Sequence, residues 1–497
     1  MAVSPKLRAF RCGLGKLAVV SSFALMLVLF VLPTFARTAD QMTSENIPAT
    51  EDPQCATASA ACKTSWKNSD YVLPWGETRK KLADKGFTFN IFYITDALGD
   101  PSVPHGTREV FQNWQRARAT VDYDFGKATR LKGLSFHATG VWQNGQNMGA
   151  IIGSVANPSS LVSSHEFRVD SIWLQQTFLK NKFQVTAGLM ASQDFYGVQE
   201  YGGYFVNEPM GYNYGTMGNV RASYDPSSGP AGNLRIMPNR WIWIQSGFFM
   251  PSDPNSSRNV YPTGFNYSNG FHGSTWNFEA GVHTFAARPI TEKNYAGVIK
   301  GGYIFNSSNA GATVCPNCPG GFYNYKKGRY DNDNWLIYGQ IAQPVWREKA
   351  GSTRGLDMTF GATAGPSNKT GLLHQTTGID AADLSSQFTM GAIFHGPIAQ
   401  RPRDSISFGV VYSLYENGYK GYFAQTAPVN LQLYPNYGPG TTHSGQPQLA
   451  NEQLYELNYS AMIMAGWQLQ PVVQFYNNVG GTKNAATVAG FRLKVTF

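Results

Sequence analysis

The chain has 497 residues, of which 42% are hydrophobic and 14% aromatic but only 14% charged, and its formal net charge is +9. Four basic residues, Lys6, Arg8, Arg11 and Lys16, lie before residue 37, where no acidic residue occurs, so removing them lowers the net charge from +9 to +5. No basic run interleaved with stacking aromatic residues follows, which argues against a nucleic-acid partner.

The first 36 residues are typical of a secretory signal peptide. Their basic residues precede an apolar run from Leu17 to about Val31, and Pro33 and the small-residue site ending at Ala36 follow. We expect cleavage near Ala36, with a retained membrane anchor as the alternative. No later stretch approaches the roughly 20 apolar residues of a spanning helix, so a place in a membrane would require a β-barrel.

A polar segment, residues 37–74, comes next, and a short helix is predicted over residues 75–86. The stretch "PWGETRKKLADKG" carries basic residues toward its end, and Gly86 is a typical helix stop. From residue 87 to 497 the pattern changes to strands with period-2 alternation of apolar and polar residues. We interpret 87–497 as a single domain.

Sixteen strand windows are predicted in this domain. They span residues 87–97, 113–124, 131–142, 167–179, 182–190, 230–237, 240–250, 274–285, 298–307, 334–346, 354–366, 385–397, 404–415, 454–464, 467–477 and 486–497. The connections after the even-numbered windows are mostly short, and the others are mostly long, notably 191–229, 308–333 and 416–453. Short turns at one end and long loops at the other are typical of outer-membrane barrels, with the short turns in the periplasm.

The two faces of the predicted strands fit such a barrel. In "NWQRARATVDYDF" one face carries Arg116, Arg118, Thr120, Asp122 and Asp124, and the other carries Ala117, Ala119, Val121, Tyr123 and Phe125. The fold class predicted is therefore all-β, a single 16-stranded antiparallel transmembrane barrel with a water-filled lumen. Aromatic residues near strand ends are expected to form the interfacial girdles, namely Tyr123, Phe125, Trp241, Trp243, Trp346 and Trp467.

Four cysteines remain after the signal peptide, an even number in an exported chain. Four cysteines allow three pairings, and we favour the local ones, Cys55 with Cys62 and Cys315 with Cys318. The "CPNC" spacing also occurs in redox motifs and in half of a zinc site. It lacks a second ligand pair and a βαβ setting, so we expect a loop disulfide, with no metal and no cofactor.

Three stretches resemble a known family: "WGETRKKLADKGFTFNIFYITDALGDP", "SIWLQQTFLKNKFQVTAGLMASQDF" and "YELNYSAMIMAGWQLQPVVQFYNNVGG". They are similar to the carbohydrate-selective porins of the OprB type, and they cover the start, middle and end of the chain after the signal. The resemblance implies passive diffusion of sugars across the outer membrane of a Gram-negative bacterium. It also implies sugars and outer-membrane lipid as partners, and a monomer or a homotrimer.

A sugar offers hydroxyl groups that donate and accept, and apolar ring faces, so charged pairs and aromatic rings would recognise it. We hypothesise that Arg116 and Arg118 face Asp96 and form one wall of a constriction. The other wall would come from the loop after the fifth strand, with Asp194, Glu200, Tyr201 and Tyr204, and with Arg168 nearby. Arg168 has the parity of lipid-facing residues, so its inward direction requires a bulge or a position above the membrane.

Each of these residues has a plainer interpretation. Lumen charges often pair across strands only to order the wall, and loop carboxylates are often solvated. Two other functions remain open. A general or anion-selective pore, for phosphate or sugar acids, would be suggested by lumen cations such as Arg492 and Lys494. An exported carbohydrate hydrolase would need two carboxylates about 5 to 10 Å apart in a rigid cleft.

Overall fold

In the computed structural model, the structure describes residues 70–73, 75–101, 111–162, 166–211, 220, 223, 228–250, 274–284, 297–306, 334–349, 352, 354–365, 384–415, 450–481 and 484–497. The signal peptide, most of the polar segment and all four cysteines of the expected disulfides, Cys55, Cys62, Cys315 and Cys318, lie outside these residues. Those predictions, and the domain boundaries, stay predictions.

The described helices are short. They are α1 (Gly76–Asp84), α2 (Phe125–Ala128), α3 (Met148–Ile152) and α4 (Glu208–Gly211), with 3₁₀ turns at Ser192–Asp194, Gly202–Tyr204 and Val479–Gly481. Helix α1 ends at Asp84 with Lys85 as its C-cap, and Gly86 follows with a φ of 89°, a left-handed conformation that favours glycine. Within the described part of the chain, every helix is too short or too polar to cross a membrane.

Sixteen strands are described. They are β1 (Phe87–Gly99), β2 (Phe111–Asp124), β3 (Leu134–Gly145), β4 (Glu166–Phe178), β5 (Phe183–Met190), β6 (Gly229–Ile236), β7 (Ile242–Phe249), β8 (Thr275–Thr284), β9 (Gly297–Asn306), β10 (Asn334–Arg347), β11 (Gly355–Ala364), β12 (Leu384–His395), β13 (Ser405–Tyr415), β14 (Glu452–Met464), β15 (Trp467–Asn477) and β16 (Ala485–Thr496). Each pairs with its sequence neighbours, and β1 pairs with β16, which closes the barrel. The predicted fold class is confirmed.

Alternation of the side chains separates a lumen from an outer surface. On β13, Ser405 and Ser407 are buried inside, whereas Ile406 and Phe408 are about 40% exposed on the outside. An apolar outer face and a polar inner face are the reverse of a soluble barrel with an apolar core. Sixteen strands enclose a lumen wide enough for a channel, so whatever narrows it must come from chain folded inside.

The connections differ in length at the two ends of the barrel. One end has the turns 125–133, 179–182, 237–241, 285–296, 348–354, 396–404 and 465–466. The other end has longer connections, among them 146–165, 191–228, 307–333 and 416–451. We call the first the short-turn end. The expected segregation of turns and loops is therefore present.

One aromatic residue does not lie where the sequence analysis placed it. Trp243 was expected in the outer girdle, but it is 5% exposed, and a Cβ on Gly281 of β8 would lie 2.1 Å from its ring. Ile242 and Ile244 take the outward positions on β7, each about 40% exposed. The prediction was wrong because "WIWIQS" is apolar on both parities, so composition alone could not assign its faces.

A bulge in β4 resolves the direction of Arg168. Ser171 pairs with Thr139 and Val169 pairs with Gly140, which leaves Asp170 as an additional residue in the ladder. This shift turns both Arg168 and Asp170 away from the outer surface, and they are 8% and 0% exposed. The charged residues that shared parity with the outward Leu174 therefore do not face lipid.

Residues outside the sheet also hold the first and last strands together. Residues before α1 pack on the seam between these strands, where the backbone N–H of Val72 donates to the carbonyl of Thr496 over 2.9 Å. The Arg79 guanidinium of α1 donates to the carbonyl oxygens of Phe89 and Phe497, and it stacks over the Tyr71 ring at 3.9 Å. Helix α1 thus fastens the short-turn ends of β1 and β16 together.

Candidate functional site

Two segments from the long-loop end fold into the lumen. The first inner segment comprises residues 146–162, between β3 and β4, and the second comprises residues 191–211, between β5 and β6. Phe205, Val206 and Met210 of the second segment are buried against Leu454 and Val488, which lie on the inner faces of β14 and β16. An apolar patch on the lumen wall thus holds part of the inner chain.

Glu452, at the start of β14, holds the first inner segment and is 0% exposed. Its carboxylate accepts hydrogen bonds from the backbone N–H groups of Ala156 at 2.8 Å and Val155 at 3.2 Å. It also accepts from the N–H of Gly480 at 2.7 Å, in the connection after β15. One buried carboxylate therefore satisfies backbone donors from two different connections.

Glu456, four residues further along β14, holds the second inner segment. Its carboxylate accepts from the backbone N–H groups of Val206 at 2.8 Å and Asn207 at 2.9 Å, and from the Asn207 side chain at 2.8 Å. The amides of Asn458 and Gln474 complete the set at 2.8 and 2.9 Å. Five donors therefore satisfy a carboxylate that is 0% exposed.

A buried ion pair joins both inner segments to the closing strand. Arg492 of β16 donates twice to Asp96 of β1, at 2.7 Å each, in a bidentate arrangement. The same guanidinium donates to the carbonyl of Phe205 at 3.1 Å and to the hydroxyl of Ser160 at 2.8 Å. Ser159 donates its hydroxyl to Asp96 at 2.5 Å. Asp96, Arg492 and both segments therefore form one connected unit.

Two glycines on neighbouring strands leave room for the second segment. Gly391 of β12 and Gly409 of β13 face each other in register. A Cβ on Gly391 would lie 2.7 Å from the ends of both the Phe205 and Met210 side chains, and one on Gly409 would lie 2.7 Å from the Met210 sulfur. The inner chain therefore approaches the wall at a distance that side chains on those strands would prevent.

The opposite side of the second segment is bound by β8, β9 and β10. Glu279 of β8 accepts from the N–H of Gly197 at 3.1 Å and from the Tyr338 hydroxyl at 2.8 Å. Lys300 of β9 donates to the carbonyl of Val198 and to the carboxylate of Glu200, both at 2.6 Å. The segment is thus anchored on two sides of the lumen and spans the space between them.

Aromatic and charged groups gather where this segment crosses the lumen. Tyr204 packs edge-on against His395 at 5.0 Å and against Tyr201 at 6.4 Å. His395 bonds to Asp357 at 2.9 Å, and Arg347 pairs with the same carboxylate at 2.5 Å. We call these five residues, together with Glu200 and Lys300, the aromatic–ionic wall. Arg347 and His395 end β10 and β12, so the wall lies in the half of the barrel nearer the short-turn end.

The Tyr201 side chain contributes a neutral hydroxyl. Burial raises the pKa of this group, and the nearby Asp357 carboxylate acts in the same direction. The hydroxyl therefore stays protonated and is able both to donate and to accept a hydrogen bond.

The remaining residues singled out from sequence lie in different surroundings. Arg116 is 6% exposed and donates to Gln143 at 2.9 Å and to the carbonyl of Leu161 at 3.1 Å, so it lies behind the first inner segment. Arg118 pairs with Asp170 at 3.5 Å. Asp194 is half-buried in the first 3₁₀ turn of the second segment. Asp96 has Arg492 as its ion partner, on β16 and not on β2.

Sequence reasoning missed the residues that hold the inner chain. Glu452 and Glu456 share the inward parity of β14 with Asn458, and two carboxylates on one strand face were a usable signal. Lys300, Asp357 and His395 come from three separate strands, and each is a single polar residue in an alternating pattern. Only the closure of the barrel brings them to one place.

Comparison with known proteins assigns the family. A family model described as "Carbohydrate-selective porin, OprB family" matches residues 108–497, which is most of the chain. The chain belongs to the OprB family of carbohydrate-selective porins. No curated protein matches this OprB-family chain.

Several solved structures are similar to this chain. The high-pH structure of Pseudomonas putida OprB is 18% identical, with a TM-score of 0.71, covering 86% of this chain and 99% of that one. The low-pH structure of the same protein gives 13% identity and a TM-score of 0.48 over 86% of this chain and 99% of that one. The trimer form of OmpT, an outer membrane protein of Vibrio cholerae, gives 11% and 0.44 over 83% and 100%. The TM-score of 0.71 with the high-pH structure shows that this OprB-family chain and that protein share a fold.

Proposed function

We propose that the protein lies in the outer membrane of a Gram-negative bacterium and lets sugars such as glucose diffuse passively into the periplasm. Solutes would pass the second inner segment beside the aromatic–ionic wall. Membership of a porin family supports a channel without catalytic activity. The barrel would contact outer-membrane lipid as a monomer or a homotrimer.

The pairing of charges in the lumen is the observation that carries this proposal. Lys300 pairs with Glu200, Arg347 with Asp357, and Arg492 with Asp96. Paired charges produce a weak net field, so they attract free ions less than unpaired charges of one sign do. They still present donors and acceptors side by side, which matches the hydroxyl groups of a neutral sugar.

Aromatic surface supports the same substrate class. Tyr201 and Tyr204 are half-buried, so part of each ring remains accessible in the lumen. An aromatic ring covers the apolar face of a pyranose while the adjacent charged pairs bond its hydroxyl groups. Such contacts stay individually weak, and a permeating solute must be able to leave.

The residues singled out from sequence take two roles in this proposal. Glu200, Tyr201, Tyr204 and Asp194 belong to the second inner segment and would contact the solute. Arg118 would extend this contact surface along β2, and the buried Asp170 and Arg168 of β4 would order the wall beside it. Asp96 and Arg116 are buried behind the inner segments, so they would order the wall and act on the solute only indirectly.

An anion-selective pore is the competing function, and the lumen cation Lys494 favours it. Lys494 lies on the inner face of β16, and its ammonium group is 5.0 Å from the centre of the Phe92 ring on the neighbouring strand β1. A cation–π contact leaves the positive charge in place, so Lys494 would attract anions. The ratio of anion to cation permeability separates the two functions.

Conductance in planar bilayers tests the proposal. We expect glucose to block the ion current of the purified protein in a concentration-dependent way, with weak selectivity between chloride and potassium. Tyr201→Ala should weaken the block with little change in current, because it removes a ring face and leaves the charged pairs. Arg116→Ala should change the open current more than the apparent affinity for glucose.

Trp276→Ala provides the matched control, since this ring is 53% exposed on the outer surface of β8. It should leave both current and block unchanged. A strongly chloride-selective current that glucose does not affect would reject the sugar pore and support the anion-selective one.

A further inference from the structure

One sector of the short-turn rim carries a dense group of cations. It consists of the end of α1, the β2–β3 turn and the β4–β5 turn, which adjoin because β1 to β5 are successive neighbours in the barrel. Its members are all exposed: Lys80, Lys81, Lys85, Lys127, Arg130, Lys132, Lys180 and Lys182. We call these eight residues the basic sector.

Hydrogen bonds hold the three parts of the sector together. Lys127 donates to the carbonyl of Ala83 in α1 at 2.9 Å. The Gln176 amide donates to the carbonyl of Lys132 at 3.1 Å, and the N–H of Thr177 donates to the carbonyl of Gly133 at 2.8 Å. The cations are therefore presented on one fixed surface and not on independent loops.

The charges of the sector are not neutralised within the described part of the chain. None of the eight cations forms an ion pair there, although other rim cations do, as in the pairs of Arg354 with Glu348 and Arg401 with Asp404. The acidic residues in the sector are Glu77, Asp84 and Asp124, and Asp124 is engaged in capping α2 through the N–H of Gly126. A positive excess remains at this part of the rim.

Exposed apolar side chains lie between these cations. Leu131, between Arg130 and Lys132, is 55% exposed, and Leu179, next to Lys180, is 69% exposed. Phe178 is 49% exposed at the end of β4, and it continues the outward apolar face that includes Leu174. The sector thus begins where the lipid-facing band of the barrel ends.

The backbone conformation of the β4–β5 turn disfavours side chains, so their presence there indicates that they have a function. Leu179, Lys180 and Asn181 have φ values of 50°, 56° and 66°, a left-handed conformation in which non-glycine residues are uncommon. Glycine would adopt it without steric conflict. The turn nevertheless carries an exposed leucine and an exposed lysine at its tip.

We propose that the basic sector binds the headgroups of anionic phospholipids in the periplasmic leaflet of the outer membrane. The cations would contact headgroup phosphates, and Leu131, Phe178 and Leu179 would contact the upper parts of the acyl chains. Lys and Arg beside an apolar band are suited to that boundary, since their aliphatic stems pack on apolar surface while the charges reach the headgroups. A soluble acidic protein would account for the charges but not for the leucines.

Native mass spectrometry tests this inference. The protein is released from nanodiscs of phosphatidylcholine containing a minority of phosphatidylglycerol, and the retained lipids are counted. We expect phosphatidylglycerol to be enriched over its bulk fraction and the enrichment to fall with added salt. Arg130→Gln with Lys180→Gln should lower it by about fivefold for each cation removed, the factor that about 1 kcal/mol gives.

Two further variants make the test specific. Arg240→Gln with Lys349→Gln removes the same charge from other turns of the rim, and it should leave the enrichment unchanged. Leu131→Ser with Leu179→Ser keeps every cation, and it should lower the enrichment if acyl chains are contacted. Unchanged enrichment in this last variant would show that the headgroup charge alone is recognised and would overturn the proposed contact of Leu131 and Leu179 with the acyl chains, whereas absence of enrichment in the native protein would overturn the assignment to lipid.

The inference depends on the membrane placement proposed above but not on selectivity for sugars. Conductance of the same proteins in bilayers of phosphatidylcholine separates the two. Normal sugar block without enrichment of phosphatidylglycerol would overturn the proposed lipid binding by the basic sector and would leave the proposed sugar pore unaffected. Enrichment of phosphatidylglycerol in a protein whose current glucose does not block would support lipid binding and overturn the proposed sugar pore.

Discussion

Replacing Glu456 by Gln perturbs the anchor of the second inner segment with almost no change in side-chain size. In the native protein, one carboxylate oxygen accepts from Val206 and Asn458, and the other accepts from Asn207 and Gln474. A glutamine amide supplies one accepting oxygen and one NH₂ group, which cannot accept. Donors around the NH₂ group lose their partner.

The structure gives the size of this loss. If the amide oxygen occupies the position with three donors, the NH₂ group faces the N–H of Val206 and the amide of Asn458. Each buried donor without a partner costs about 1–3 kcal/mol, so the segment is destabilised by about 2–6 kcal/mol. Opposing this, the apolar contacts of Phe205 and the bonds of Lys300 to residues 198 and 200 remain.

Single-channel recording measures the outcome. We expect the barrel to form normally, because the strand ladder of β14 is untouched, and the open current to become larger and noisier as residues 205–207 leave the wall. Glucose block should weaken because Tyr201 and Tyr204 lose their fixed positions. The larger, noisier current and the weaker glucose block should occur together, because both follow from displacement of the same segment.

Glu348→Gln is the matched control, because this exposed rim carboxylate pairs only with Arg354 among the described residues and lies outside the lumen. It should behave as the native protein. A Glu456→Gln channel with native current, native noise and native glucose block would refute the view that this carboxylate positions the constriction.

Two more substitutions probe the wall and the seam. Gly391→Val places a Cβ 2.7 Å from the ends of Phe205 and Met210, which should cost about 1–3 kcal/mol and raise the conductance. Gly232→Val is the control and should not change the conductance, because a Cβ there would lie 3.9 Å from the carbonyl oxygen of Thr186. Arg79→Gln removes two hydrogen bonds to the ends of β1 and β16, which should lower the stability of the barrel by about 1–3 kcal/mol. The folded band in unboiled gel electrophoresis should therefore disappear at a lower temperature. Lys80→Gln on the same helix should leave that temperature unchanged, and an equal decrease in both variants would contradict a specific role for Arg79.

The barrel was predictable from sequence because each strand carries its own signal. Alternation in a stretch such as "SISFGVVYSLY" assigns faces locally, and the lengths of the connections order the two ends. Local patterns failed where both parities were apolar, as at Trp243, and they left the direction of Arg168 open until the pairing of β3 and β4 showed the bulge. A bulge depends on how two strands pair, so a single strand cannot show it.

The candidate site was predictable only in part because its contacts join distant positions. The sequence points to Asp96 and to a loop with Tyr201 and Tyr204, but the ion partner of Asp96 is Arg492, across the closing seam. Pairing across that seam follows from closure of the barrel and is visible in no local pattern. His395 and Asp357 likewise meet only through the register of β11 and β12.

Directed hydrogen bonds explain why the inner segments have one position on the lumen wall. Apolar packing of Phe205 and Met210 would tolerate sliding of the segment along the wall, because dispersion contacts are not directional. Glu456 accepts the N–H groups of two consecutive residues, Val206 and Asn207, and Glu452 does the same for Val155 and Ala156. Sliding by one residue would replace these donors and leave a buried carboxylate with unsatisfied oxygens, at a cost that packing does not impose. A pore that separates solutes by small differences in contact needs such fixed positions, and the two carboxylates of β14 provide them.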